Sequence, residues 1–188
     1  MRTARVIPLS KDADSPLYPE EGKVRTIAIL PAITKLYEIC LQNYMEEHIA
    51  EHDTIHPHQR GFRPGGSCKD NIIDILHMIN IAKQEAQLHR KNMVKVKNRP
   101  KTFILFIDFA KAFDKVNRGR LLNKMTQMKF HPQLVLAVKN LIQNTYMEVQ
   151  GQKVKTESGV PQGSCLSPLL FDLYVNDLLT ELNDITQG

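Results

Sequence analysis

The sequence predicts a mixed α/β (α+β) chain, on three observations. Short runs of apolar and β-branched residues at 2–10 and 23–30 read as strands across a polar, Pro-containing link. Apolar residues recur at helical spacing over about 32–51 and again over about 166–182. Between these regions, Phe103-Ile104-Leu105-Phe106-Ile107 reads as a strand buried on both faces, ending on the carboxylate of Asp108. A charge at the mouth of a buried strand needs a partner: the run is either an ordinary strand whose Asp caps the next turn, or one whose carboxylate meets a metal ion, a common partner for an aspartate.

Composition bounds the reading. The 188 residues suffice for one ordinary domain or two small lobes. With 42% hydrophobic and 24% charged residues the chain is globular rather than disordered. A net charge of +5 tilts towards an anionic partner, nucleic acid or a membrane surface, without choosing between them. Cys40, Cys68 and Cys165 are odd in number and form no Cys-x-x-Cys pair. That points to a reducing compartment and buried thiols. No apolar run reaches membrane-spanning length and the N-terminus lacks the apolar core of a signal peptide. The expectation is a soluble, intracellular protein with no membrane partner; nucleus or organelle is left open, as is the oligomeric state.

Taken in order, the two opening strands suggest a β-hairpin whose long tip spans 11–22. Pro31 suits a helix start, and Ile33, Leu36, Tyr37, Cys40, Leu41, Tyr44, Met45 and Ile49 form its expected core stripe. His52, His56 and His58 follow in a loop, where solvated side chains are expected rather than metal ligands. Arg60, Arg63 and three glycines nearby suit phosphate, because guanidinium groups and open backbone amides both bind it. Ser67 with Asp70 reads as a capping box opening a helix to about 88, with Ile72, Ile75, Leu76, Ile79, Ala82 and Ala86 on its apolar face. Residues 90–101 hold six Lys or Arg, including Lys95, Lys97 and Arg99, either as a solvated loop or along a nucleic-acid backbone.

Beyond Asp108, Asn117 caps a short helix and Pro132 opens another. A tight hairpin is expected around Gly151-Gln152, and a type I turn over Ser158-Gly-Val-Pro-Gln-Gly163.

Four of these stretches together resemble reverse transcriptases of the non-LTR retrotransposon and group II intron type. They are Val24-Arg-Thr-Ile-Ala-Ile-Leu with Lys35-Leu-Tyr-Glu38, then Gln59-Arg-Gly-Phe-Arg-Pro-Gly-Gly-Ser67, then the Asp108 stretch, and then Gly159-Val-Pro-Gln-Gly-Ser-Cys-Leu-Ser-Pro-Leu-Leu-Phe171. Their order and spacing match, and they cover nearly the whole chain. The resemblance implies a right-hand polymerase fold, with residues 1–100 as fingers and 101–188 as partial palm. It implies an RNA template, a DNA primer, deoxynucleoside triphosphates and two Mg2+ ions.

By position, Asp108 is the implied catalytic residue and metal ligand. Phe113 is the implied gate against a 2′-hydroxyl, and Gln162 with Gly163 meets the incoming nucleotide. Arg25, with Lys11 or Lys23, is the implied triphosphate clamp. Arg60, Arg63, Lys95, Lys97 and Arg99 would follow template phosphates. Asp114 matches a family position that is not a metal ligand, so a local hydrogen-bonding role is expected of it.

The departure is that no Tyr/Phe-x-Asp-Asp block, which supplies the family's other catalytic acid, follows Gln162-Gly163. Two metal ions need more than one carboxylate. The expectation is therefore a fragment without the Asp-Asp block or thumb, inactive alone. The alternatives are a nucleic-acid-binding remnant and a scaffold subunit.

Overall fold

The computed structural model describes residues 2–10, 24–91, 103–143, 145–149 and 151–187. The elements run β1 (Arg2–Ser10), β2 (Val24–Ile29), α1 (Ala32–His52), α2 (Cys68–Lys91), α3 (Arg118–Gln127), α4 (Pro132–Ile142), β3 (Thr145–Val149), β4 (Gln152–Lys155) and α5 (Ser167–Gln187). They fall into two compact units, one of residues 1–59 with 111–188 and one of residues 60–110. Those boundaries lie at 59/60 and 110/111.

In the first unit the strands form one sheet in the order β2-β1-β3-β4. β1 and β2 pair antiparallel, from Arg5 with Ile29 to Ser10 with Val24, which is the expected opening hairpin. The hairpin tip lies outside the described residues. Alternation sets the two faces: Ala4, Val6 and Ala28 are buried, whereas Ile7, Leu9, Ile27 and Ile29 are exposed. β3 runs parallel to β1 but pairs only with Arg2 to Arg5. Pro8 therefore sits where β3 no longer runs beside β1, a position that tolerates a missing backbone donor. β3 and β4 make the second hairpin, with Gly151 at φ 82° supplying the turn.

The core of this unit gathers one side of each of α1, α3, α4 and α5. Leu41, Met45 and Ile49 meet Leu121, Met125, Val138, Ile142 and Leu170 in a buried cluster. The helix ends follow the sequence. The Asn117 side chain accepts from the Arg120 N–H at 2.9 Å, Pro132 opens α4, and the Asp53 N–H returns to the Ile49 carbonyl to close α1. In the second unit Ser67 and Asp70 form the expected box: the Ser67 N–H donates to the Asp70 carboxylate at 2.8 Å and the Asp70 N–H to the Ser67 hydroxyl at 3.4 Å.

Three expectations are corrected. Residues 103–109 form no strand and are exposed, Phe103 to 86% and Phe106 to 83%. A strand needs a ladder partner, and none of the four strands in the sheet pairs with this run. The α1 stripe is split: Leu41, Met45 and Ile49 are buried, but Ile33, Leu36, Tyr37, Cys40 and Tyr44 are exposed. Its stripe is wider than the arc that α3, α4 and α5 cover, and Thr34 and Glu38 take the buried places in its first two turns. On α2, Ile75, Ile79 and Ala82 are half-buried while Ile72 and Leu76 are exposed.

One buried cation joins the parts. Arg118, the first residue of α3, is 8% exposed. Its Nε donates to the Gly159 carbonyl at 2.8 Å, and Nη1 donates to the Thr156 carbonyl at 2.7 Å. Nη2 donates to the Thr156 hydroxyl at 2.9 Å, the Ser158 carbonyl at 3.0 Å and the Thr145 hydroxyl at 3.2 Å. All five acceptors are neutral oxygens. Burial pulls the guanidinium below its ordinary pKa, yet arginine remains charged in proteins. Arg118→Ala strands these acceptors, so we expect a loss of about 2–4 kcal/mol. Arg118→Lys should recover little, since one ammonium cannot reproduce the fork. The denaturant midpoint of each variant checks this.

Candidate functional site

The segment from Thr156 to Ser164 is the hub of the candidate site. Arg118 fixes its start. The Gly159 N–H then donates to the Val116 carbonyl and the Val160 N–H to the Phe113 carbonyl, each at 2.9 Å. The far end reaches the sheet, where the Ala28 N–H donates to the Gln162 carbonyl at 2.6 Å. The turn closes through the Ser164 N–H and the Pro161 carbonyl at 3.3 Å, one residue later than the sequence suggested. Backbone contacts on both flanks thus hold residues 113–116, the 158–163 turn and β2 together.

Two glycines are required by this packing. Gly159 has φ 78°, and a Cβ there would lie 2.8 Å from the Asp114 carbonyl oxygen. Gly163 has φ 121°, and a Cβ there would collide with the Ala28 carbonyl oxygen. Neither site admits a side chain without strain.

Of the residues singled out by sequence, Phe113, Asp114, Gln162 and Gly163 come together here. The Gln162 amide Nε2 donates to Asp114 Oδ1 at 3.2 Å. The half-buried Phe113 ring packs against Phe171 with centroids 5.4 Å apart. Arg25 is exposed on β2, three residues before Ala28. An open cleft of about 330 Å³ is lined by Thr26 of β2, Asp114, Met147, Gly159 and Pro161. Its size is within the range that holds small ligands.

Asp108 lies in the 60–110 unit and is exposed, as are the apolar residues before it. Arg60, in the same unit, pairs with Asp74 at 2.7 Å. The Nη1 atom of Arg63 is buried and has no hydrogen-bond partner among the described residues. Lys11, Lys23, Lys95, Lys97 and Arg99 lie outside the described residues. Among the described residues no three of His, Cys, Asp and Glu come together to hold a metal ion. Of the three histidines, His52, the last residue of α1, and His58 in the loop are exposed, and His56 is half-buried.

Sequence reasoning missed several supporting residues. Arg118 carries no signal, because an arginine in the first turn of a helix ordinarily reads as solvated. Glu38 is 2% exposed and accepts from the Cys165 N–H at 3.2 Å and the Cys165 thiol at 3.3 Å, tying α1 to the segment after the turn. Burial first, then the Glu38 hydrogen bond and charge, push that thiol up from its ordinary pKa. Asp172, fully buried on α5, accepts from Gln59 Nε2 at 2.7 Å.

The architecture so defined is a mixed α/β domain whose glycine-bearing turn is clamped between a sheet and the loop carrying Phe113. The chain belongs to the reverse transcriptase (RNA-dependent DNA polymerase) family, whose model matches residues 11–187. It is similar to the RNA-directed DNA polymerase of the mobile element jockey of Drosophila melanogaster, 27% identical over 184 residues and covering 95% of this chain and 18% of the relative. It is similar also to the probable polymerases of two other transposons of that fly. The X-element protein is 30% identical over 165 residues, covering 85% of this chain and 16% of the relative. The transposon BS protein is 26% identical over 167 residues, covering 85% and 17%. These matches make it a reverse transcriptase domain of the non-LTR retrotransposon kind, and it spans less than a fifth of the relatives' length. Among the described residues no helix is long and apolar enough to cross a membrane.

Gly163→Ala should destabilise the first unit by about 1–3 kcal/mol, from the left-handed φ and the collision with Ala28 together. Thermal unfolding compared with Gly151→Ala, which has open space around it, isolates the collision.

Proposed function

We propose that this domain forms the fingers and part of the palm of a right-hand polymerase that, in its full-length polypeptide, synthesises DNA on an RNA template. The observation that carries the reading is the clamped 158–163 turn. It brings the implied nucleotide contacts, Gln162 and Gly163, against the loop of Phe113 and the strand of Arg25. Phe113 is the proposed gate: a ring half-buried against Phe171 is held in place, and its remaining surface excludes a 2′-hydroxyl. Arg25, with Lys11 or Lys23, is proposed to bind the triphosphate, where a guanidinium fork suits phosphate oxygens. Arg60, Arg63, Lys95, Lys97 and Arg99 are proposed to follow template phosphates. An Arg60 paired with half-exposed Asp74 can exchange that partner for phosphate at small cost.

The family's nucleotidyl transfer uses divalent metal, and Mg2+ is the proposed ion. The described residues do not by themselves fit a pair of ions, since no cluster of three ligating side chains forms among them. Asp108 is the proposed carboxylate ligand.

Asp108→Asn in the full-length polypeptide should lower primer extension on an RNA template by several orders of magnitude, because charge stabilisation by bound metal supplies much of the acceleration in such chemistry. Near-unchanged turnover would reject the assignment.

Phe113→Ala should admit ribonucleotides far more readily while deoxynucleotides are still used, since removing the ring removes a clash and adds no attraction. Parallel extension assays with the two nucleotide types measure the ratio. An unchanged ratio in a folded variant would leave Phe113 as a core residue only.

A further inference from the structure

We propose that Asp114 is a positioning residue that fixes which end of the Gln162 carboxamide faces the nucleotide. The inference rests on the reading of Gln162 as a nucleotide contact and deepens it. A glutamine amide has a donor end and an acceptor end, and a free side chain offers either. An ionised aspartate only accepts. With Gln162 Nε2 donating to Asp114 Oδ1 at 3.2 Å, the Oε1 end is held away from Asp114 and presented as an acceptor. The orientation is imposed by the carboxylate's chemistry.

Both partners stand on fixed backbone. On the Asp114 side, the Phe113 and Val116 carbonyls accept from Val160 and Gly159, and the Asp114 carbonyl accepts from the Ser158 hydroxyl at 3.3 Å. On the Gln162 side, its own carbonyl is tied to Ala28. The two side chains therefore meet without either main chain having to order for the purpose. That is the condition under which one hydrogen bond serves pre-organisation. Asp114, the partner that orients the amide, itself lines the adjoining cleft.

The test is steady-state primer extension by the full-length polypeptide, comparing Gln162→Ala, Asp114→Ala, Asp114→Asn and the Gln162→Ala/Asp114→Ala double variant, each checked by thermal unfolding. We expect Gln162→Ala to raise the nucleotide KM. Asp114→Ala should raise it about five- to tenfold with kcat nearly unchanged. Asp114→Asn, which keeps an acceptor oxygen but also offers a donor, should fall between Asp114→Ala and the unaltered enzyme. The double variant should be no worse than Gln162→Ala, because Asp114 acts through that amide. If Gln162→Ala leaves KM unchanged, the reading of Gln162 fails and this inference with it. If Gln162→Ala raises KM but Asp114→Ala does not, or if the two effects multiply in the double variant, the inference alone is overturned.

Discussion

The candidate site depends on a buried guanidinium. Arg118 lies at the meeting of α3, the open end of the β3–β4 hairpin and the segment that leads into the 158–163 turn. A buried cation without a carboxylate beside it is tolerable only when its donors are satisfied. Here one side chain collects carbonyls from three residues and hydroxyls from two, so the chain segments must arrive together or the charge is stranded. The Thr145 and Thr156 hydroxyls also bond each other, at 2.6 Å, which fixes the hairpin's end at the same point. This is the all-or-none coupling expected of a fully satisfied polar network.

From that anchor the turn follows by close approach. The main chain at 159 and 163 comes so near to Asp114 and Ala28 that only glycine fits, and those two contacts fix the distance between loop and sheet. The turn is thus rigid by packing on both flanks, though it belongs to no helix or strand of its own. A site on a loop held this way has the precision usually reserved for regular elements.

Much of this was legible locally. Asn117 and Pro132 mark helix starts by chemistry that acts within one turn, Ser67 and Asp70 likewise, and Gly151 marks its hairpin. The alternating strands at 2–10 and 24–29 pair as expected because hairpin partners are sequence neighbours. What failed was non-local. Nothing in residues 2–5 announces a parallel partner far along the chain, as Arg2 pairs with Thr145. Nothing in Arg118 distinguishes a buried fork from a solvated one. The last family block, by contrast, was legible, and it carries Gly159 and Gly163, the two glycines that these close approaches require. The residues that sequence placed at the nucleotide, Phe113, Gln162 and Gly163, do converge, while their roles remain proposals that proximity supports.

The apolar run 103–107 shows the limit of periodicity most sharply. Five consecutive large apolar residues encode burial on two faces, and here all five are exposed. Composition states what a segment's side chains favour, but a strand exists only when its backbone donors and acceptors find a ladder. With no described strand beside it, the run keeps its sequence preference and forms no element. The same logic splits α1: Leu41, Met45 and Ile49 face helices that are present, whereas Ile33, Leu36 and Tyr44 point where no described residue covers them. A stripe read from sequence therefore measures the surface a chain is built to cover, and the structure measures the surface covered. Where the two disagree, as at 103–107 and on the outer face of α1, the apolar side chains are left exposed among the described residues.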